Sequence, residues 1–331
     1  MKFRNLLILV VLTSLFIACD EEDTEFTEIG NWVKKAYFEG FPRSEGTSFS
    51  INGYGYWGMG INGKTFLSDF WKYDPQKDSW TQVKDFPGTP RAYGVSASTS
   101  SKGYAGLGYD GDNDLGDFWE YDPATNEWKQ VADFPGGLRR WATAFTLGED
   151  VYVGTGYNQI SKKYYNDFYK LNNGEWTKIS AIQGEKRRSA NSVGYQNKGY
   201  VVSGNHSTVL NDFWVYDPVT DTWDDEYDVN DEDYGGLKGV ERYNAILEFS
   251  ESKMYLIGGT TSGAALASAY EWDPVSKEWT QKSSIESNVT REGAGHFVIN
   301  DVIYIVGGRN GTNFLDDCYL FQPSLEKNTD D

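Results

Sequence analysis

From about residue 31 onward, apolar residues come in runs of four or five, rich in Tyr, Trp, Val and Ile, and Gly, Asp, Asn and Pro break them. This patterning predicts short strands joined by turns, and no helical period runs through it. One string keeps returning. Asp-Phe-Trp-Lys-Tyr-Asp-Pro, closed four residues later by Trp, spans 69 to 80, and the same template recurs at 117 to 128, in shortened form at 167 to 176, and at 212 to 223. Weaker copies run from Ser268 to Trp279 and from Asp317 to Pro323. Six copies 45 to 56 residues apart have the period expected of propeller blades.

A second pattern precedes each copy. Tyr56, Tyr104, Tyr152, Tyr200, Tyr255 and Tyr304 each lead within four residues to a glycine: Gly60, Gly108, Gly156, Gly204, Gly259 and Gly308. Each unit therefore reads as four strands, a to d. Strand b carries the Tyr, strand c the Phe-Trp-x-Tyr, Asp-Pro makes the turn, and strand d carries the last Trp. The sixth unit lacks its Trp. Asn31-Trp32-Val33 and the FEGFPR after it match the segments that begin at Trp80 and Trp128, so the N-terminal strand is expected to complete the last blade and close the ring.

YLIGG at 255 to 259, YIVGG at 304 to 308 and the paired Tyr and Trp of strands c and d resemble kelch repeats over about residues 31 to 323. The resemblance implies an all-β, six-bladed kelch-type β-propeller with four-stranded blades. The first three units depart from it in having Gly-x-Gly. GMGING (58–63) and GLGYDG (106–111) fit the dinucleotide fingerprint, but that motif needs a following helix, and here a strand follows.

The flanking segments read differently. Lys2 and Arg4 precede a twelve-residue apolar run from Leu6 to Ile17, so residues 1–18 read as an export signal, too short for the roughly 20 residues of a membrane helix. The following LFIAC resembles the lipobox of bacterial lipoproteins, with Cys19 as the lipidated residue. Residues 19–30, opening on four acids, read as a tether. They resemble the acidic signal that sends Bacteroidetes lipoproteins outward, and 324–331 is a polar tail. The expected address is the outer membrane, lipid-anchored and surface-exposed. Without Lys2 and Arg4, 28 cations face 49 acids, a net charge of −21 that argues against nucleic acid and against membrane contact other than the anchor. With Cys19 lipidated, Cys318 is left without a disulfide partner, and a monomeric propeller is expected.

Strand geometry gathers the start of strand a and the b–c loops at one end of the ring. Arg43, Arg91, Arg139, Arg187, Arg242 and Arg291 each stand thirteen residues before the strand b Tyr, at the start of strand a. Six guanidiniums could ring the channel mouth and hold a carboxylate. A residue present in every unit is also explained as blade architecture, so function belongs in what differs between blades. The blade-specific candidates are Arg140, Trp141, Arg188, Tyr243 and Tyr93, with Tyr109, Tyr157 and Arg309 just past the strand b glycines. Glu292 and His206 are candidate proton carriers. Asp110, Asp112, Asp114 and Asp117 alternate like the start of a calcium loop, though no glutamate stands at the twelfth position. The insertion between Trp223 and Arg242 reads as a lip over this face or a mobile loop.

No cofactor is implied. Copper chemistry of the galactose oxidase type would need more histidines than His206 and His296. The absence of a recognisable nucleophile or metal constellation favours a non-catalytic module that binds a glycan or an outer-membrane protein. The other reading is a metal-free sugar mutarotase similar to the kelch-type N-acetylneuraminate epimerase, in which arginine would hold the sugar's carboxylate and Glu292 or His206 would move the proton.

Overall fold

The computed structural model describes residues 28–285 and 289–328. The expected export signal, Cys19 and the acidic run after it lie outside the described residues. Six four-stranded antiparallel sheets are present, each built from a to d in chain order except the last. In blade 1 the strands are Thr47–Ile51, Tyr54–Gly58, Phe70–Asp74 and Ser79–Gln82. The innermost strands of blades 2 to 6 are Val95–Ser98, Thr143–Leu147, Asn191–Tyr195, Ile246–Ser250 and Gly295–Ile299. They touch in cyclic order around an axis, blade 6 returning to blade 1.

Closure is as the N-terminal patterning predicts. Ile29–Lys35 pairs antiparallel with Cys318–Glu326, Trp32 opposite Phe321. Their rings stack with centroids 4.2 Å apart, and the Trp32 indole donates to the Ser283 carbonyl. Cys318 occupies the position held by Phe70 in blade 1; it is buried, and burial pushes its thiol well up, which leaves it inert.

Each letter of the repeated string has a packing role. In blade 1, Tyr73 and Trp80 are buried against Phe297 of blade 6, and the Tyr73 hydroxyl donates to Asp78 at 2.7 Å. Asp74 caps the turn by accepting from the Gln76 amide. The blades thus bury aromatic faces against one another, which is why the template is spelled in Tyr, Trp and Phe. Gly60, at φ +90°, donates its amide to the Arg91 carbonyl of the next blade, and Gly108, Gly156, Gly259 and Gly308 do the same around the ring. A Cβ at Gly60 would lie 2.7 Å from the Ser44 carbonyl oxygen, so the clip needs glycine.

The insertion does not overhang the axial face. It forms a short 3-10 helix, Glu232–Tyr234, and folds onto the outer strand of blade 5. Val229 and Val240 are fully buried with Trp279, and the Tyr227 hydroxyl donates to the Lys277 carbonyl and accepts from Trp272. Its valines and Tyr227 supply the apolar surface that outweighs its acidic composition.

Candidate functional site

Two rings of side chains, two residues apart on the segment that leads into every strand a, organise the axial face. The first is the repeated arginine. All six are 0 to 1% exposed, so they do not ring an open mouth. Arg43 donates to both oxygens of Asp69 at 2.7 and 2.6 Å and to the Met59 carbonyl. The same fork grips Asp117 from Arg91, Asp167 from Arg139, Asp212 from Arg187 and Asp317 from Arg291. These are the first residues of the repeated template, and in blades 1, 2 and 4 the Trp two places on donates to the same carboxylate. Burial acts to raise the Asp69 and Asp117 carboxyls, but the guanidinium bonds and the indole outweigh it and hold both below their ordinary value. Blade 5 departs. Ser268 replaces the acid, Arg242 is left with carbonyls and the Ser268 hydroxyl, and burial lowers the arginine to about 10. Of the two readings the sequence left open, the geometry supports architecture, because these guanidiniums have no face left for a ligand.

The second ring is Glu45, Tyr93, Trp141, Ser189, Asn244 and Gly293. All six have φ between 50° and 62°, the left-handed region that only glycine enters without strain. A backbone belt holds them there. The amide of Glu45 donates to the Gly293 carbonyl, Tyr93 to Glu45, Trp141 to Tyr93, Ser189 to Trp141 and Asn244 to Ser189, at 2.8 to 3.0 Å. These six residues line an axial cavity of about 160 Å³. Below it, a second cavity of about 170 Å³ shares the layer Ser48, Ser96, Ala144, Ser192, Leu247 and His296. There the His296 ring meets Glu248 at 2.8 Å.

Around this bowl the blade-specific candidates sort into two groups. On blades 3 and 4, Trp141 packs edge-on against Tyr93 with centroids 5.0 Å apart, and the Arg188 guanidinium lies 4.5 Å over the indole. Tyr157 and Tyr164 flank that guanidinium. Arg188 donates from Nε to Asn205, and its terminal nitrogens meet no acceptor among the described residues. Arg140, by contrast, is buried, stacked on Tyr109 at 3.7 Å and paired with Asp114 at 2.7 Å. On blades 5, 6 and 1, Glu292 is held by Arg309 at 2.8 Å and by the Thr260 hydroxyl, and Tyr243 stands between the two groups in the charge field of Glu292 and Arg188. Glu45 accepts from the Asn244 amide at 2.6 Å. Burial pushes its carboxyl up to about 7, with the Asn244 bond and the Arg309 charge pulling the other way.

The two candidate proton carriers both stand outside the cavity lining: Glu292 is held by Arg309, and His206 pairs with exposed Glu185 and packs on Tyr164. The calcium expectation is corrected. The calcium carboxylates diverge: Asp110 caps its own turn, Asp114 is spent on Arg140 and the Gln159 amide, and Asp117 on Arg91. Among the described residues no group of His, Cys, Asp and Glu is arranged to hold a metal. The sequence reading missed Glu45, Ser189 and Asn244. The signal was present, since they share with Trp141 the offset of two residues from a repeated arginine.

The Kelch motif matches residues 60–87, 108–135, 241–284 and 290–327. No curated protein matches the chain significantly. Among solved structures, one titled "Structure of YjhT" superposes with a TM-score of 0.71 at 17% identity, covering 86% of this chain and 96% of that one. In all, 1014 solved chains match, so this likeness speaks for the fold and leaves the activity to the site. Motif matches in four stretches, six closed blades and the superposition agree: the chain is a kelch-repeat β-propeller.

Proposed function

We propose that the protein is a binding module that takes a small acidic carbohydrate in the axial bowl. One observation carries the reading. Arg188 lies across the face of Trp141 beside the cavity with both terminal nitrogens unspent, while Arg140 and Arg309 are already paired with carboxylates. A guanidinium fixed by stacking is preorganised for bidentate capture of a carboxylate, and the indole and Tyr93 offer apolar faces to a sugar ring. The export signal and the cysteine that follows it support display on the outer membrane through lipid on Cys19. A protein partner docking on the same face is the other outcome that a pulldown from outer-membrane extract would reveal.

Calorimetry with N-acetylneuraminate and glucuronate tests the reading. Binding by the wild type and at least a tenfold loss in Arg188→Gln are expected; no heat with either acid overturns it. A metal-free mutarotase, with Glu45 rather than Glu292 or His206 as the proton carrier, has one observation in its favour: a carboxyl near 7 can both give and take a proton at neutral pH. Proton NMR of N-acetylneuraminate anomers with catalytic protein decides, since an unchanged equilibration rate removes the enzyme.

A further inference from the structure

The side of the bowl opposite Arg188 is built around a glycine. Blades follow one another in cyclic order, so blade 1, which carries Glu45, faces blade 4, which carries Arg188, across the axis. The Glu45 side chain does not stay in its own blade. It runs over the belt position of blade 6 and ends on the Asn244 amide of blade 5. That path exists because the intervening residue is Gly293: a Cβ there would lie 2.8 Å from both Cδ and Oε1 of Glu45. The carboxylate is thus seated in a notch and held at one oxygen. Its other oxygen, Oε2, takes no hydrogen bond among the described residues, and Glu45 lines the cavity.

The charges facing it are Arg309 and Glu292 from blade 6 and the Tyr93 hydroxyl from blade 2. Arg309 is engaged with Glu292 and does not close on Glu45 as an ion pair. A buried acceptor with one fixed oxygen, across a small polar cavity from the blade that carries an unspent guanidinium, makes a site with two unlike poles. Buried polar groups of this kind discriminate strongly, because a ligand that lacks the matching donor leaves the acceptor desolvated and unpaired.

We propose that Glu45, seated on Gly293 and oriented by Asn244, reads hydrogen-bond donors on the ligand, so that the bowl selects molecules with a carboxylate at one end and hydroxyl groups at the other. This rests on the acidic-ligand reading above and adds the second pole to it. A carboxylate alone satisfies only the Arg188 side.

The experiment is calorimetry of three probes, N-acetylneuraminate, glucuronate and cyclohexanecarboxylate, against wild type, Glu45→Gln and Asn244→Ala, with thermal melts confirming that each variant is folded. Expected is binding of at least one sugar acid, at least tenfold tighter than cyclohexanecarboxylate, with that preference reduced tenfold or more in Glu45→Gln and partly in Asn244→Ala. Equal affinity for the sugar acid and cyclohexanecarboxylate, or an unchanged preference in Glu45→Gln, overturns the role of Glu45 and leaves the Arg188 reading standing. If no sugar acid binds, both fall together.

Discussion

Arg139 and Trp141 are two residues apart on the segment entering one strand and belong to different kinds of ring. The arginine position is the same residue in all six blades, buried, and gripped by a carboxylate in five of them. The position two residues on holds six different residues on one shared backbone belt. Repetition marks what every blade needs to stand, and variety marks what the assembled face can do. The belt is the link between them, since it fixes the Cα direction of unlike side chains as firmly as the clamps fix like ones.

The sharpest way to break this contrast is to remove a clamp. Arg91→Ala leaves Asp117 without its cation and is expected to cost about 3 kcal/mol in chemical denaturation, with the affinity of the folded protein for the proposed sugar acid unchanged. A large affinity loss without a stability loss would put the arginine ring back at the site. The belt residue Glu45 gives a pH signature. Folded, it holds its proton up to about pH 7, while unfolded it ionises near its ordinary value of 4.5. The folded state therefore binds the extra proton between those values, so the Glu45 contribution is fully present below about 4.5 and is lost as pH rises through about 7. The loss is at most about 3 kcal/mol, read as wild type minus Glu45→Gln in denaturation series from pH 4.5 to 8. A flat difference refutes the buried carboxyl.

Blade 5 offers a gain instead. Ser268→Asp supplies the acid that Arg242 lacks and is expected to stabilise by about 1 kcal/mol, since the fork then matches the other five blades. A destabilised variant would show that Tyr270, packed beside this guanidinium, has replaced the clamp. The smallest effect belongs to His206→Ala, which removes a half-exposed ring paired with an exposed acid and should change stability by less than about 0.5 kcal/mol and binding not at all.

Much of the fold was legible because its grammar is local. A Tyr, a Gly, an Asp-Pro turn and a Trp recur at spacings that fix strand, turn and strand, and Trp32 could be matched to Trp80 by the phrase that follows it. The clamps were half legible: the arginines and the template Asp were each noticed, but their pairing across 25 to 28 residues of hairpin is a tertiary fact. The site was least legible, because Glu45 meets Asn244 across 199 residues and through a gap left by a glycine on a third blade. Nothing in the local spelling of FPRSEG marks its acid as different from the other acids of a strongly acidic chain. Trp141 stands out in the sequence as a blade-specific residue, and comparing all six blades at its offset from the repeated arginine marks the whole belt.

The clasp between Ile29–Lys35 and Cys318–Glu326 also sets the order of events in folding. The outer strand of blade 6 is made before the rest of the ring, yet its partner follows almost three hundred residues later, so that blade stays incomplete until Cys318–Glu326 is available. Joining segments so far apart in the chain is the slowest class of contact to form. Until it forms, the last sheet presents a bare edge, and the lifetime of that edge is the protein's main exposure to misassembly.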